Sequence, residues 1–184
     1  MTNTDPSILD RAADGALALA ADRPWSQISL LDIAAKAEVG FADLYAAANG
    51  KSAVMDHLSR RFDQAALVTA AEPGEVHDRL FEAVMARIEA MEPHRHALIA
   101  ISQEEGPAAM APRLITTSKA LLETAGADTG GLKGMVRRVA MTAVWGRVVQ
   151  VWRDDDGALN RTMAEIDQRL KDLQRQLSRV GAGF

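Results

Sequence analysis

Apolar residues recur at three- and four-residue intervals along almost the whole chain, the spacing of helices with one buried face. Ile8, Leu9, Ala12, Ala16, Leu19 and Ala20 predict a helix over 6–22, with Pro6 in its first turn and Asp5 as its cap; Arg23-Pro24 ends it. Trp25 and Ile28 lead to Ser29, an N-cap for a helix over 30–37 whose apolar face is Leu30, Ile33, Ala34 and Ala37. Glu38-Val39-Gly40 forms a tight turn, residues 41–48 a short second helix, and Asn49-Gly50 a break. A long helix over 51–70 offers Val54, Met55, Leu58, Phe62, Ala65 and Leu67 to a core. Glu72-Pro73-Gly74 reads as a linker. Further helices are predicted over 76–91, 94–103, 108–125, 132–153 and 158–180, separated by Pro93, Gly106-Pro107, a glycine-containing loop over 126–131, and the turn 154–157. In the last helix Leu159, Met163, Ile166, Leu170, Leu173 and Leu177 alternate steps of four and three, an a/d seam that wants a partner helix. No strand is predicted. The expectation is an all-α chain of about nine helices, divided at 1–50, 51–73 and 74–184.

Composition agrees with this pattern. Of 184 residues, 48% are apolar and only 4% aromatic, a mixture that favours helices over strands. Cysteine is absent, which removes disulfides, thiolate nucleophiles and cysteine-ligated metal. The polar start, with neither basic residues nor an apolar run, and the lack of any long apolar stretch predict a cytoplasmic protein without a membrane span.

Residues 33–45, Ile33-Ala34-Ala35-Lys36-Ala37-Glu38-Val39-Gly40-Phe41-Ala42-Asp43-Leu44-Tyr45, carry the helix-turn-helix pattern: small residues at the junction, a tight turn, and a second helix whose first turn would meet base edges. This segment resembles the helix-turn-helix of the TetR family of transcriptional regulators. Ile33, Ala34, Ala37, Val39, Leu44, Tyr45, Lys51 and Val54 fall at family positions, and the likeness covers about residues 8–65. It implies a homodimeric DNA-binding repressor controlled by a small apolar effector. Ser29, Gly40, Phe41, Ala42, Asp43, Tyr45 and Lys51 are its expected DNA-facing residues. The departures are Glu38 for the family's turn glycine, Gly40 for the serine opening the second helix, Ala42 and Asp43 for the glycine and threonine after it, and Ala47 and Ala48 for two aromatic or histidine positions. Charge departs as well. Through residue 63 there are six basic residues (Arg11, Arg23, Lys36, Lys51, Arg60, Arg61) and nine acidic ones (Asp5, Asp10, Asp14, Asp22, Asp32, Glu38, Asp43, Asp56, Asp63), whereas phosphate binding asks for a basic excess. The same pattern therefore also serves a helix-turn-helix kept only as a folding module.

For the C-terminal helices the resemblance implies an effector pocket and a dimer face. Phe81, Met85, Ile88, Ile101, Met110, Leu114, Met141 and Trp145 are the expected pocket residues, although such residues serve equally as plain core. Val144, Val148, Met163, Ile166, Leu170, Leu173 and Leu177 are the expected dimer contacts, with packing inside one chain as the other reading of the seam. Trp152 to Gly157, with Thr162-Met163 and Ile166-Asp167-Gln168-Arg169-Leu170, resembles the tail of the lipid-binding ubiquinone-biosynthesis accessory proteins, which share the TetR fold. That implies the alternative of a lipid or quinone-like cargo without DNA binding. Asp154 to Asp156 acting as caps of the last helix explain the same residues.

Catalysis finds no constellation. His57, His77, His94 and His96 are scattered, and Thr129-Gly130-Gly131-Leu132-Lys133-Gly134 lacks the G-K-[ST] of a phosphate loop. The chain is expected to be no enzyme and to hold neither metal nor cofactor.

Overall fold

The computed structural model describes residues 7–71, 73–155 and 157–184; Asp5, Pro6, Glu72 and Asp156, to which the sequence assigns cap, linker and turn roles, lie outside them. Among the described residues there are eight α-helices and no strand: α1 (Ile8–Asp22), α2 (Leu30–Lys36), α3 (Phe41–Ala47), α4 (Lys51–Leu67), α5 (Val76–Met91), α6 (Arg95–Thr124), α7 (Gly131–Arg153) and α8 (Asn160–Arg179). About nine were expected. The difference is α6, which is two helical stretches that meet in a kink at the predicted Gly106-Pro107 break, where Gly106 is non-helical at φ 77° and ψ 169°. The chain forms two compact units, one of Met1–Arg61 with His94–Met110, the other of Phe62–Pro93 with Ala111–Phe184. Both α4 and α6 therefore contribute residues to each.

In the N-terminal unit α1 opens with a capping box. Ser7 Oγ accepts from the Asp10 amide, and the Asp10 carboxylate accepts from the Ser7 amide. The sequence reading placed the cap at Asp5; Ser7 takes it because its own N3 residue is an acid. Ala12, Ala13, Gly15, Ala16, Leu17 and Ala20 form the buried face. Ile8, Leu9 and Leu19 lie only partly buried, so the buried face is made of smaller side chains than the spacing suggested. Small residues let α1 approach α2 closely: a Cβ on Gly15 would stand 3.3 Å from the Ala37 amide nitrogen and the Ile33 carbonyl oxygen. Ser29 caps α2 in a second box with Asp32.

In the C-terminal unit Trp145, Trp152, Leu80, Ile88, Leu121, Leu122, Met141 and Ile166 are fully buried. α8 packs on α7 and α5, and this buries Ile166, Leu170, Leu173 and Leu177 inside the chain. The a/d seam, expected at a dimer interface, finds its partner helices in its own protomer; only Met163 of the seam stays 42% exposed. Leu159, expected at the head of the seam, instead precedes α8 in the left-handed region, φ 56°. The Trp152-to-Thr162 motif has a local explanation. Asp155 is buried and its Oδ2 accepts from both the amide and the hydroxyl of Thr162, 2.7 Å each, capping α8. Trp152 Nε1 donates to Glu92 at 2.6 Å. Arg137, which nothing in the sequence marked, is buried and donates to the carbonyls of Asp128, Ala182 and Gly183, tying down the chain's end.

A smaller expectation differs as well. In α4, Ala66 is buried while Ala65 is partly exposed and Leu67 37% exposed, because the helix turns its last apolar position by one residue. No helix among the described residues is long and apolar enough to cross a membrane.

Candidate nucleic-acid interface and effector site

The turn between α2 and α3 closes in the Schellman form. The Val39 amide donates to Ala34 O (3.0 Å) and the Glu38 amide to Ala35 O (3.2 Å), with Glu38 itself left-handed at φ 54°. That geometry is one glycine adopts freely and glutamate adopts at a cost. Leu44 of α3 is fully buried and fixes the helix; Ala48, just beyond, is buried as well. The opposite face of α3 is open. Phe41 is 43% and Tyr45 56% exposed, their rings 6.0 Å apart, and Leu31 on α2 is 59% exposed. Ala42, Asp43, Ala46 and Ala47 are exposed, and Gly40 begins the helix without a side-chain cap. The Asp43 carboxylate folds back beside Gly40, in the first turn, where the helix dipole favours it.

The remaining expected DNA-facing residues are engaged within the unit. Ser29 donates its hydroxyl to Asp32 (2.6 Å). Lys51 is half-buried; its Nζ donates to Trp25 O at 2.7 Å and stands 4.5 Å from the centre of the Trp25 ring. Burial pushes its pKa down, against the pull of Glu105 and Glu104. Glu104 in turn accepts from the Trp25 and Ser26 amides, 2.9 and 2.7 Å, and hydrogen bonding from Ser26 and then Trp25 holds its carboxyl below the ordinary range. Lys36 and Arg60 are exposed basic residues of this unit that the sequence reading left off the interface.

Of the expected pocket residues, Met85, Ile88, Met141 and Trp145 are buried in the C-terminal unit, and Phe81 and Leu114 half-buried there. Ile101 and Met110 belong to the N-terminal unit, so the compact units do not gather all eight residues. What the sequence reading missed is charged. Arg87 of α5 is buried among these residues, with Nε donating to Asp63 Oδ1 of α4 (2.7 Å), Nη2 to Thr117 Oγ1 of α6 (3.2 Å) and Nη1 to Met91 Sδ (2.7 Å). Thr117 donates to the same Asp63 oxygen at 2.9 Å. The guanidinium carbon lies 4.8 Å from the Trp145 ring centre and 5.9 Å from that of Phe62. Desolvation lowers the Arg87 pKa and the Asp63 charge opposes this. No group of three or more His, Cys, Asp or Glu able to hold a metal ion occurs among the described residues.

No protein-family model and no curated protein matches the sequence. Solved structures do match. A TetR transcriptional regulator from Rhodococcus sp. RHA1 is 15% identical, superposes with a TM-score of 0.66, and is covered over 93% of its length by 89% of this chain. The TetR family repressor AlkX from Dietzia sp. strain DQ12-45-1b, implicated in biodegradation of n-alkanes, is 16% identical with a TM-score of 0.60, over 92% of this chain and 96% of that one. The fatty acid degradation regulator FadR from Bacillus halodurans is 19% identical with a TM-score of 0.58, over 93% and 96%. At these identities the likeness is one of fold, and it runs over nearly the full length: the chain has the architecture of TetR transcriptional regulators.

Proposed function

We propose that this chain is a TetR-like transcriptional regulator that binds DNA as a homodimer and responds to a small apolar effector. The observation that carries this reading is the helix-turn-helix itself. A Schellman turn sets α3 at a fixed angle on a buried Leu44, and its solvent face is left uncovered. In this reading residues 1–50 are the reading head, 51–73 its connection, and 74–184 the effector and dimer module, except that His94–Met110 belongs to the compact unit of the head. Gly40, Phe41, Ala42 and Tyr45 approach the bases and backbone, with Ser29 and Lys51 at the edge of the contact. A carboxylate 4 Å from a phosphate costs about 1 kcal/mol in water and about 4 kcal/mol at an effective dielectric near 20. Asp43 is therefore tolerated only where it accepts from a cytosine amino group. The dimer face is assigned to α7 rather than to the seam of α8. Leu132 (73% exposed), Met135 (46%) and Val139 (68%) share one side of α7, and Ala143 and Gly146 continue it with little bulk. Two heads on such a dimer would need a spacing near 34 Å to read one face of DNA. The test is gel retardation of DNA flanking the chain's own gene at low salt. A salt-sensitive shift on a palindromic site supports the reading, and no shift at all overturns it.

One observation favours a second reading. α3 carries no basic residue, and Lys51 turns inward to Trp25. This suits a TetR-fold protein that carries a lipid or quinone-like molecule without binding DNA. Native mass spectrometry of protein taken from cells would show the bound lipid; an empty protein counts against it.

A further inference from the structure

Arg87 sits on α5 between Met85 and Ile88, in a helix whose inward residues are otherwise apolar. A buried ion pair of this kind gives little net stability over well-packed apolar side chains, because both charges lose their water. Packing alone does not call for it. The donors are arranged for a carboxylate. Arg87 Nε and Thr117 Oγ1 converge on one oxygen of Asp63, 2.7 and 2.9 Å away, and the Trp145 ring backs the guanidinium at 4.8 Å. Nothing in that set distinguishes an aspartate from the carboxylate of a small molecule. The surrounding apolar residues can yield: Met85, Met91 and Met141 are buried and conformationally adaptable. Leu114, one turn before Thr117 on α6, is half-buried.

We propose that Arg87 is an anion-recognition group, and that the effector of this chain is an organic carboxylate with an apolar body whose carboxylate replaces Asp63 on the Arg87–Thr117 donors. The inference rests on reading the C-terminal unit as an effector module, and it narrows the class of molecule that unit takes. It also names the consequence of binding. Asp63 lies on α4, of which residues 51–61 belong to the N-terminal unit. A ligand that takes Arg87 releases Asp63 of α4 from its bonds to Arg87 of α5 and Thr117 of α6. The two states then differ in affinity for the ligand, as a switch requires.

The experiment is isothermal titration calorimetry of the full chain with octanoate and with 1-octanol, matched in apolar length and different in charge. Octanoate is expected to bind at least about tenfold more tightly. Arg87→Met should abolish that preference. Asp63→Asn should raise octanoate affinity about tenfold, with 1-octanol unchanged, because the internal competitor loses its charge. Equal binding of acid and alcohol, binding of neither, or no gain in Asp63→Asn overturns the proposal. Where Arg87→Met fails to fold by circular dichroism, Asp63→Asn and the wild-type ratio decide it. Retardation of DNA is a separate readout. Its loss with the acid preference intact refutes the regulator alone, and its presence without that preference refutes the carboxylate alone.

Discussion

Single residues in the head carry more than the helical pattern reveals. Asp10 closes the α1 capping box and also meets His57 Nε2 at 2.8 Å; these bonds, His57 first and Ser7 next, hold its pKa down to about 2. A depressed carboxylate stabilises the fold at pH values above its unfolded value of 3.8, and that stability is lost as pH falls toward 2. Asp10→Asn should therefore cost about 1 kcal/mol at neutral pH, the side chain's partial exposure keeping the figure modest. The gap to wild type should close between about pH 4 and 2, read by urea unfolding at a series of pH values. Glu38 predicts the opposite sign. Its left-handed φ of 54° favours glycine, so Glu38→Gly should stabilise by about 1 kcal/mol in the same assay. The TetR resemblance exposed this position in the sequence, since it expects glycine there. No such signal marked Arg87. Its partners stand 24 residues away at Asp63 and 30 away at Thr117, and a lone arginine in an apolar stripe does not announce a buried pair.

At the scale of elements, stops and caps were the legible part. Pro24, Ser29 and the Glu38-Val39-Gly40 turn fix α1, α2 and α3 to within a residue or two, because local chemistry decides them. The seam of α8 was legible as a stripe and illegible as an interface. Periodicity records that Ile166, Leu170, Leu173 and Leu177 want burial, and α5 and α7 of the same chain supply it. Glycines on α7 separate the local from the intermolecular. A Cβ on Gly134 would run into the backbone of Thr129, whereas one on Gly146 would meet open space. Gly134→Ala should cost about 3 kcal/mol in thermal unfolding, and Gly146→Ala should gain about 0.5–1 kcal/mol in a protomer held at dilution. Equal effects at the two sites would show that α7 does not enter its loop as described.

For the molecule as a whole, assembly and charge decide between the two proposed uses. In the proposed dimer the exposed Leu132, Met135 and Val139 side of α7 would meet the second copy, because the α8 seam is buried within the chain. Val139→Asp, at a 68% exposed position, should leave the melting curve of dilute protein unchanged. In sedimentation equilibrium it should shift the chain from dimer to monomer, and any DNA retardation should go with it. A variant that stays dimeric removes α7 from the interface.

The interleaving of the two units has a consequence for how the chain is made. The N-terminal unit includes His94–Met110, and Glu104 within that stretch receives the Trp25 and Ser26 amides. A ribosome delivers about 5–20 residues each second from the N-terminus. The helix-turn-helix segment is therefore out of the tunnel seconds before the acceptor that completes its unit. During that interval the nascent head lacks Glu104, and a fragment cut at residue 70 would keep it in that state permanently. Only synthesis past Met110 gives the head its full set of contacts.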